Sequence, residues 1–204
     1  MNYFTINLFL NNFCGIFYIR RRGVVMLNAI DVANFFIYLM PEADNEITNL
    51  KLNKLIYFAQ GYNMQRYNKP LFDDEIQAWQ YGPVIPSVYH KFKEYKNSHI
   101  SKPTKDFDMT KYSDEDKELM LDVAREYGKY TGEALRDITH QIDSPWFQVY
   151  DPNRRNIKIP TSDIQEYFDK LPSIEMKDIV FSEDSFIGYR DEDGYLVLPK
   201  EYDI

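Results

Sequence analysis

Residues 47–62, Ile47-Thr-Asn-Leu-Lys-Leu-Asn-Lys-Leu-Ile-Tyr-Phe-Ala-Gln-Gly-Tyr62, decide the fold. Leu52, Leu55, Ile56, Ala59 and Tyr62 recur at the spacing that lines one face of an α-helix. Thr48 precedes the run as a cap, and Ile47 and Leu52 are placed to close a hydrophobic staple across it. Lys51 and Lys54 fall off that apolar face, which predicts that they point away from the core.

Upstream, Asn28 reads as an N-cap with Asp31 at the third helical position, where a carboxylate meets free amides and the helix dipole. The run from Ile30 to Met40 is too apolar for an exposed helix, so this helix is predicted to be central and to end at Pro41. Downstream, Ile76–Tyr81 reads as extended, Gly82-Pro83 as a turn, and Pro86 as the first residue of a helix. That helix places Ile85, Val88, Tyr89, Phe92 and Tyr95 on its apolar side. Residues 97–112 read as a loop.

Ser113 caps a helix that ends near Gly128, and a shorter helix runs from Glu133 to His140. Pro145, Pro152 and Pro160 break the next stretch, after which Ser162 and Gln165 form a capping box for a last helix. Beyond Pro172, SFIGYR and GYLVLP flank Asp191-Glu192-Asp193-Gly194 as a β-hairpin. The expected fold is mainly α: a compact helical domain with a short extended segment and a C-terminal β-hairpin.

A chain of 204 residues with 44% hydrophobic residues supports an ordinary core. Its net charge of −8 disfavours a general polyanion binder, which needs clustered Lys and Arg. The charge is uneven. Residues 1–25 carry three Arg and no acid, whereas residues 173–204 carry nine acids against three bases, a net −6. The lone Cys14 excludes an intramolecular disulfide and a zinc site of several thiolates, and a reducing cytosol is the simplest compartment.

The apolar run at the start is interrupted by Asn2, Asn7, Asn11 and Asn12, and Arg20–Arg22 follow it rather than precede it. Neither a membrane span nor a secretory signal has that form. Arg21-Arg22-Gly23-Val24-Val25 before Met26 is what a purine-rich ribosome-binding site spells when translated, so residues 1–25 are expected to be a mis-annotated leader. The domain is then 26–172, with 173–204 an acidic extension.

No chemistry of an enzyme stands out. Asp137, His140 and Asp143 form the best acid–base cluster, and Asp137 and His140 share a helix face; a hydrogen-bonded His at a helix end is the simpler reading. His90 and His99 lack metal-ligand spacing, and neither a phosphate-binding loop nor a nucleophile elbow is present. No cofactor or metal is implied. Lys91, Lys93, Lys96, Lys102 and Lys105 bracket Tyr95 and His99 as a basic, aromatic patch, but Glu94 interrupts it, and nucleic-acid contact is disfavoured.

Three blocks, Ile47–Gly61, Ala78–Tyr89 and Leu135 with Thr139–Trp146, resemble in order and spacing the Panacea domain of SocA-like antitoxins, homologues of the phage-associated protein GepA. The likeness spans roughly residues 28–171. It implies a helical antitoxin that binds and neutralises a cognate protein toxin encoded beside it, in a family frequent on prophages and paired with many unrelated toxins. One member instead delivers its toxin to a Clp-type protease, so a proteolytic adaptor is an alternative, as is a prophage-encoded nucleic-acid-binding regulator. The third block usually carries an acid at the position of Ile142 or one residue on; here it is Asp143.

The blocks nominate partner-binding residues. Lys51 and Lys54 pair with acids or meet an acidic toxin; Tyr57 and Gln60 join a polar cluster with Thr139 and His140, beside Asp143 and Trp146. Trp79, Tyr81, Gly82 and Pro83 read either as an exposed anchor or as packing against the 52–62 helix. The acidic extension is a candidate for toxin specificity.

Overall fold

The structure is a computed structural model and describes residues 26–40, 46–174, 189–190 and 196–197. The leader, Pro41 and the expected turn at Asp191–Gly194 lie outside them. The chain divides into two compact units, 1–174 and 175–204.

In the first unit, α1 (Ala29–Leu39) starts at the predicted Asn28 cap, and the Asn28–Asp31 capping box closes in both directions. The long helix α2 (Asn49–Tyr67) starts at Thr48, whose side chain accepts from the Lys51 amide. It ends at Asn68, which takes the left-handed conformation. A hairpin follows: β1 (Gln77–Trp79) pairs antiparallel with β2 (Gly82–Val84), with Trp79 opposite Gly82. The turn is therefore Gln80-Tyr81, and Gly82, predicted to turn the chain, instead starts the return strand at φ +98°.

Next come α3 (Pro86–Phe92), opened by Pro86 as expected, then α4 (Asp114–Tyr127), α5 (Gly132–Thr139) and α6 (Pro145–Val149). Strand β3 (Ile157–Lys158) adds to the free edge of β1, and α7 (Thr161–Asp169) closes the unit. Among the described residues the architecture is thus seven α-helices with a small antiparallel sheet in the order β2-β1-β3. In the second unit, β4 (Tyr189–Arg190) and β5 (Leu196–Val197) pair antiparallel.

Three local expectations need correction. Pro145 does not break the chain; it sits in the first turn of α6, with Ser144 as the cap. Ser162 does not cap α7, because the helix already begins at Thr161 after an extended Pro160, and the Ser162 hydroxyl bonds Asp163 instead. Gly128 is the C-cap of α4 but in right-handed conformation. A Cβ there would strike the Ala124 carbonyl, so close approach explains this glycine rather than a positive φ.

Helix α2 is the axis of the unit, with α1, α4, α5, α7 and β2 packed around it. Its predicted apolar face is buried: Leu52, Leu55, Ile56 and Ala59 are fully enclosed and Tyr62 nearly so. On this side Phe58 stacks on Tyr127 at 4.0 Å, and Phe168 meets Tyr57, Phe58 and Tyr62 edge-on. Gly61 admits the Phe168 ring, which any Cβ at that position would overlap.

The loop 97–108 is held as a strap over α1. Asn34 exchanges two 2.9 Å bonds with Thr104, donating to its hydroxyl and accepting from its amide. Beyond it, Tyr112 donates to the Asp31 carbonyl.

Candidate functional site

The helix α2 does not have a solvent face. Asn49, Lys51, Asn53, Lys54, Gln60 and Asn63 are all buried alongside its apolar residues. A buried polar group is costly unless it finds a partner, and here the partners are the backbones of the surrounding connections. Lys51 Nζ donates to Gly128 O (2.7 Å) and Lys54 Nζ to Pro83 O (2.9 Å). Asn49 donates to Tyr89 O, and Asn53 accepts from the Ile85 amide. Gln60 donates to Phe72 O and accepts from the Leu71 and Phe72 amides. Asn63 donates to Lys69 O, and Gln65 to Phe168 O and Leu171 O.

This arrangement corrects several expectations. Lys51 and Lys54 do not point away from the core; burial pushes both amines down, Lys54 well below the ordinary lysine range, with Arg136 adding to the effect. Tyr57 lies among Phe58 and Phe168, and burial raises its phenol. Neither Tyr57 nor Gln60 joins Thr139 and His140, because Gln60 is spent on residues 71 and 72.

The remaining nominated residues do meet, where the hairpin tip abuts the corner between α5 and α6. Gly82 lies so close to Lys54 and Thr139 that a Cβ would come within 2.6 Å of Nζ and 2.8 Å of Oγ1. Pro83 is buried behind it. Thr139 Oγ1 donates to Arg136 O, and Ser144 Oγ to Thr139 O, so the corner folds on its own backbone.

His140 is the C-cap of α5, with Nδ1 2.6 Å from Arg136 O; this contact places the ring proton on Nδ1. Its Nε2 lies 3.4 Å from Gln80 O, and its ring sits 3.7 Å from that of Trp146. Trp146 Nε1 donates to Trp79 O at 2.7 Å. Asp137 is taken by Arg136 rather than by His140, and Asp143 is exposed. The triad of acids and histidine considered from the sequence is therefore not assembled as an acid–base pair.

Above this bonded base stand exposed apolar side chains: Tyr81 (57% exposed) on the hairpin tip, Ile142 (79%) in the corner and Phe147 (49%) on α6. Trp79 is half-buried, and its ring meets Tyr89 at 4.9 Å. Tyr89 and Tyr95, placed on the apolar side of α3 by their spacing, are both 37% exposed. The anchor and packing readings of the second block thus divide by residue: Pro83 packs, Tyr81 is free, and Trp79 does some of each. Ile142 and Phe147 were not nominated. The signal for Phe147 was the adjacent Trp146, because neighbours on a helix point different ways and only one of them can face in.

Elsewhere, a cleft of about 360 Å³ holds Asp31 and Asp74, both already engaged, the first by Lys111 and the second by Ala29 N and Ser87 Oγ. His99 Nδ1 accepts from the Ile47 amide. No group of three metal-ligating side chains occurs among the described residues, and none of their helices is long and apolar enough to cross a membrane.

Residues 52–147, which hold most of α2, the hairpin and the α5–α6 corner, match the family model described as "Antitoxin SocA-like, Panacea domain". That segment is similar to the SocA-like Panacea domain. The chain is also similar to Antitoxin SocA of Caulobacter vibrioides (strain NA1000 / CB15N), 39% identical over 66 residues, which are 32% of this chain. The chain spans 35% of that relative's length. No solved structure matches. Within the matched segment, the polar residues Asn53, Lys54, Gln60 and Asn63 of α2 are buried as framework, and the aromatic corner is exposed.

Proposed function

We propose that the chain is the antitoxin of a toxin–antitoxin pair and neutralises a cognate protein toxin by binding it directly. The contact face is the hairpin tip with the α5–α6 corner. One observation carries this reading: inside the matched Panacea segment, Tyr81, Ile142 and Phe147 are exposed above a base held by the Trp146–Trp79 hydrogen bond and the His140–Trp146 ring contact. Aromatic and large aliphatic groups on a rigid support are the usual energetic centre of a protein interface. In this reading residues 26–172 bind the toxin, His140, Asp143 and Trp79 border the contact, and Lys51, Lys54 and Gln60 hold the face in shape from behind. The acidic segment 173–204 adds specificity.

The test begins with an adjacent reading frame whose product arrests growth when expressed alone. Co-expression of this chain is expected to restore growth, and the two products are expected to co-purify. Tyr81→Ala combined with Ile142→Ser is expected to abolish rescue while the thermal midpoint stays unchanged. Full rescue by that folded double variant would remove the hairpin tip and corner from the contact face.

A further inference from the structure

Beside the aromatic corner lies a strip that the packing leaves unused. Trp79 presents its ring to Tyr89 on α3, and the Trp79 Nε1 is held by Gln77 Oε1 at 2.9 Å. One turn beyond Tyr89, Lys93 lies on the same side of the helix, and Lys96 follows the 3₁₀ turn Lys93–Tyr95. Both lysines are exposed, and neither side chain makes a hydrogen bond or ion pair among the described residues. On the other side of β1, Lys158 stands opposite Gln77 in the register, so the pleat turns it to the same face as Gln77 and Trp79. Arg155 leads into that strand, also exposed and unpaired. A half-buried tryptophan is thus flanked by unneutralised cations on both sides, in a chain whose net charge is −8.

Several other lysines of the unit are paired. Lys111 pairs with Asp31, Lys117 with Asp114, Lys129 with Glu126 and Lys170 with Glu166. Lys102 and Lys105 are also exposed without an ion pair among the described residues, so the strip is set apart by the half-buried Trp79 at its centre and not by free cations alone. The strip also holds Glu94, and Glu75 at its edge accepts from the Gln77 amide, so its four cations outnumber two carboxylates. A surplus of one sign around an apolar centre favours a partner that carries the other sign.

We infer that this strip receives an acidic segment of the partner protein: carboxylates against Lys93, Lys96, Lys158 and Arg155, and an apolar group against Trp79 and Tyr89. The inference rests on the antitoxin reading and names the chemistry of the toxin surface it would meet. The occupant is an acidic protein segment rather than a nucleic acid. A short acidic segment interacts with the strip within a screening length of about 8 Å. An extended polyanion would run on over the surface of a chain that is acidic as a whole.

The test measures affinity between this chain and the growth-arresting product of the adjacent frame at low and high salt. Lys93→Glu with Lys96→Glu is expected to weaken binding by about tenfold or more and to flatten its salt dependence. Lys129→Glu, a charge reversal away from the strip, is expected to change neither. If the double reversal lowers the thermal midpoint, Lys93→Gln with Lys96→Gln replaces it, with a smaller loss of the same sign expected.

Binding that ignores both salt and these substitutions overturns the strip while leaving the antitoxin reading intact. No complex with the arresting product overturns both. A single-stranded oligothymidylate that binds the wild type and not the Lys93/Lys96 variant assigns the strip to nucleic acid and overturns the acidic partner.

Discussion

Lys54 Nζ bonds the carbonyl of Pro83 at 2.9 Å in a fully buried setting, so an amine from the central helix fixes the returning strand of the hairpin. The amine is held there without a carboxylate partner, and burial drives its pKa well below 10.5. Between that lowered value and 10.5 the unfolded chain binds a proton that the folded chain does not, so stability rises with pH across this window and is lost as pH falls through it. One such group contributes a slope of up to about 1.4 kcal/mol per pH unit. Lys54→Met is expected to reduce the slope, measured as urea midpoints from neutral pH to just below 10. It leaves a smaller slope of the same sign from Lys51, which burial also shifts down. Near the top of the window the variant is about 1–2 kcal/mol less stable, because Pro83 O has lost its donor, and the deficit narrows towards lower pH. Above 10 the sign reverses, since Tyr57 stays protonated in the fold.

Gly82 is required twice over. Its φ of +98° disfavours any side chain, and a Cβ would crowd Lys54 Nζ and Thr139 Oγ1. Gly82→Ala is expected to cost about 2–3 kcal/mol in urea unfolding. A loss below about 0.5 kcal/mol would contradict this placement of the hairpin.

Ser144 joins the halves of the corner, accepting from the Phe147 amide at 3.2 Å and donating to Thr139 O at 2.8 Å. Ser144→Ala is expected to cost about 1–2 kcal/mol. It should also speed hydrogen exchange at the Trp146 indole, since that N–H reaches Trp79 O only while the corner is closed. Unchanged indole exchange in the variant would separate the cap from the Trp146–Trp79 bond.

Phe147 is half exposed on a helix whose inner face is filled by Trp146. Phe147→Ser is expected to leave stability within about 0.5 kcal/mol and, on the proposed antitoxin reading, to lower affinity for the growth-arresting product about tenfold or more. Equal affinity in calorimetry would place the contact elsewhere on the domain.

The helices were legible because their signals are local. Asn28, Thr48 and Ser113 sit at the caps that their side-chain chemistry predicts, and Pro86 opens α3. The short strand β3 was not legible, because two residues leave no periodicity and their pairing with Gln77–Ala78 is set by distant chain. Ser144 and Pro145 carried a start signal that the proline obscured. The site was read in part. The blocks located the hairpin and the corner, but they gave Lys51, Lys54 and Gln60 a surface role, since helical spacing shows where apolar residues lie and not what encloses the polar ones. That α2 is surrounded follows only from tertiary packing. The exposure of Ile142 is set by the corner and has no local mark.

The polar side chains of α2 grip main-chain carbonyls and amides: Gly128, Pro83, Tyr89, Ile85, Leu71 and Phe72 are each held by an atom every amino acid possesses. Most of these connections can therefore exchange their outward side chains without losing their anchorage. A scaffold of this kind separates the inheritance of shape from the inheritance of specificity: the helix is constrained residue by residue, while the surface it supports is free to diverge as its counterpart changes.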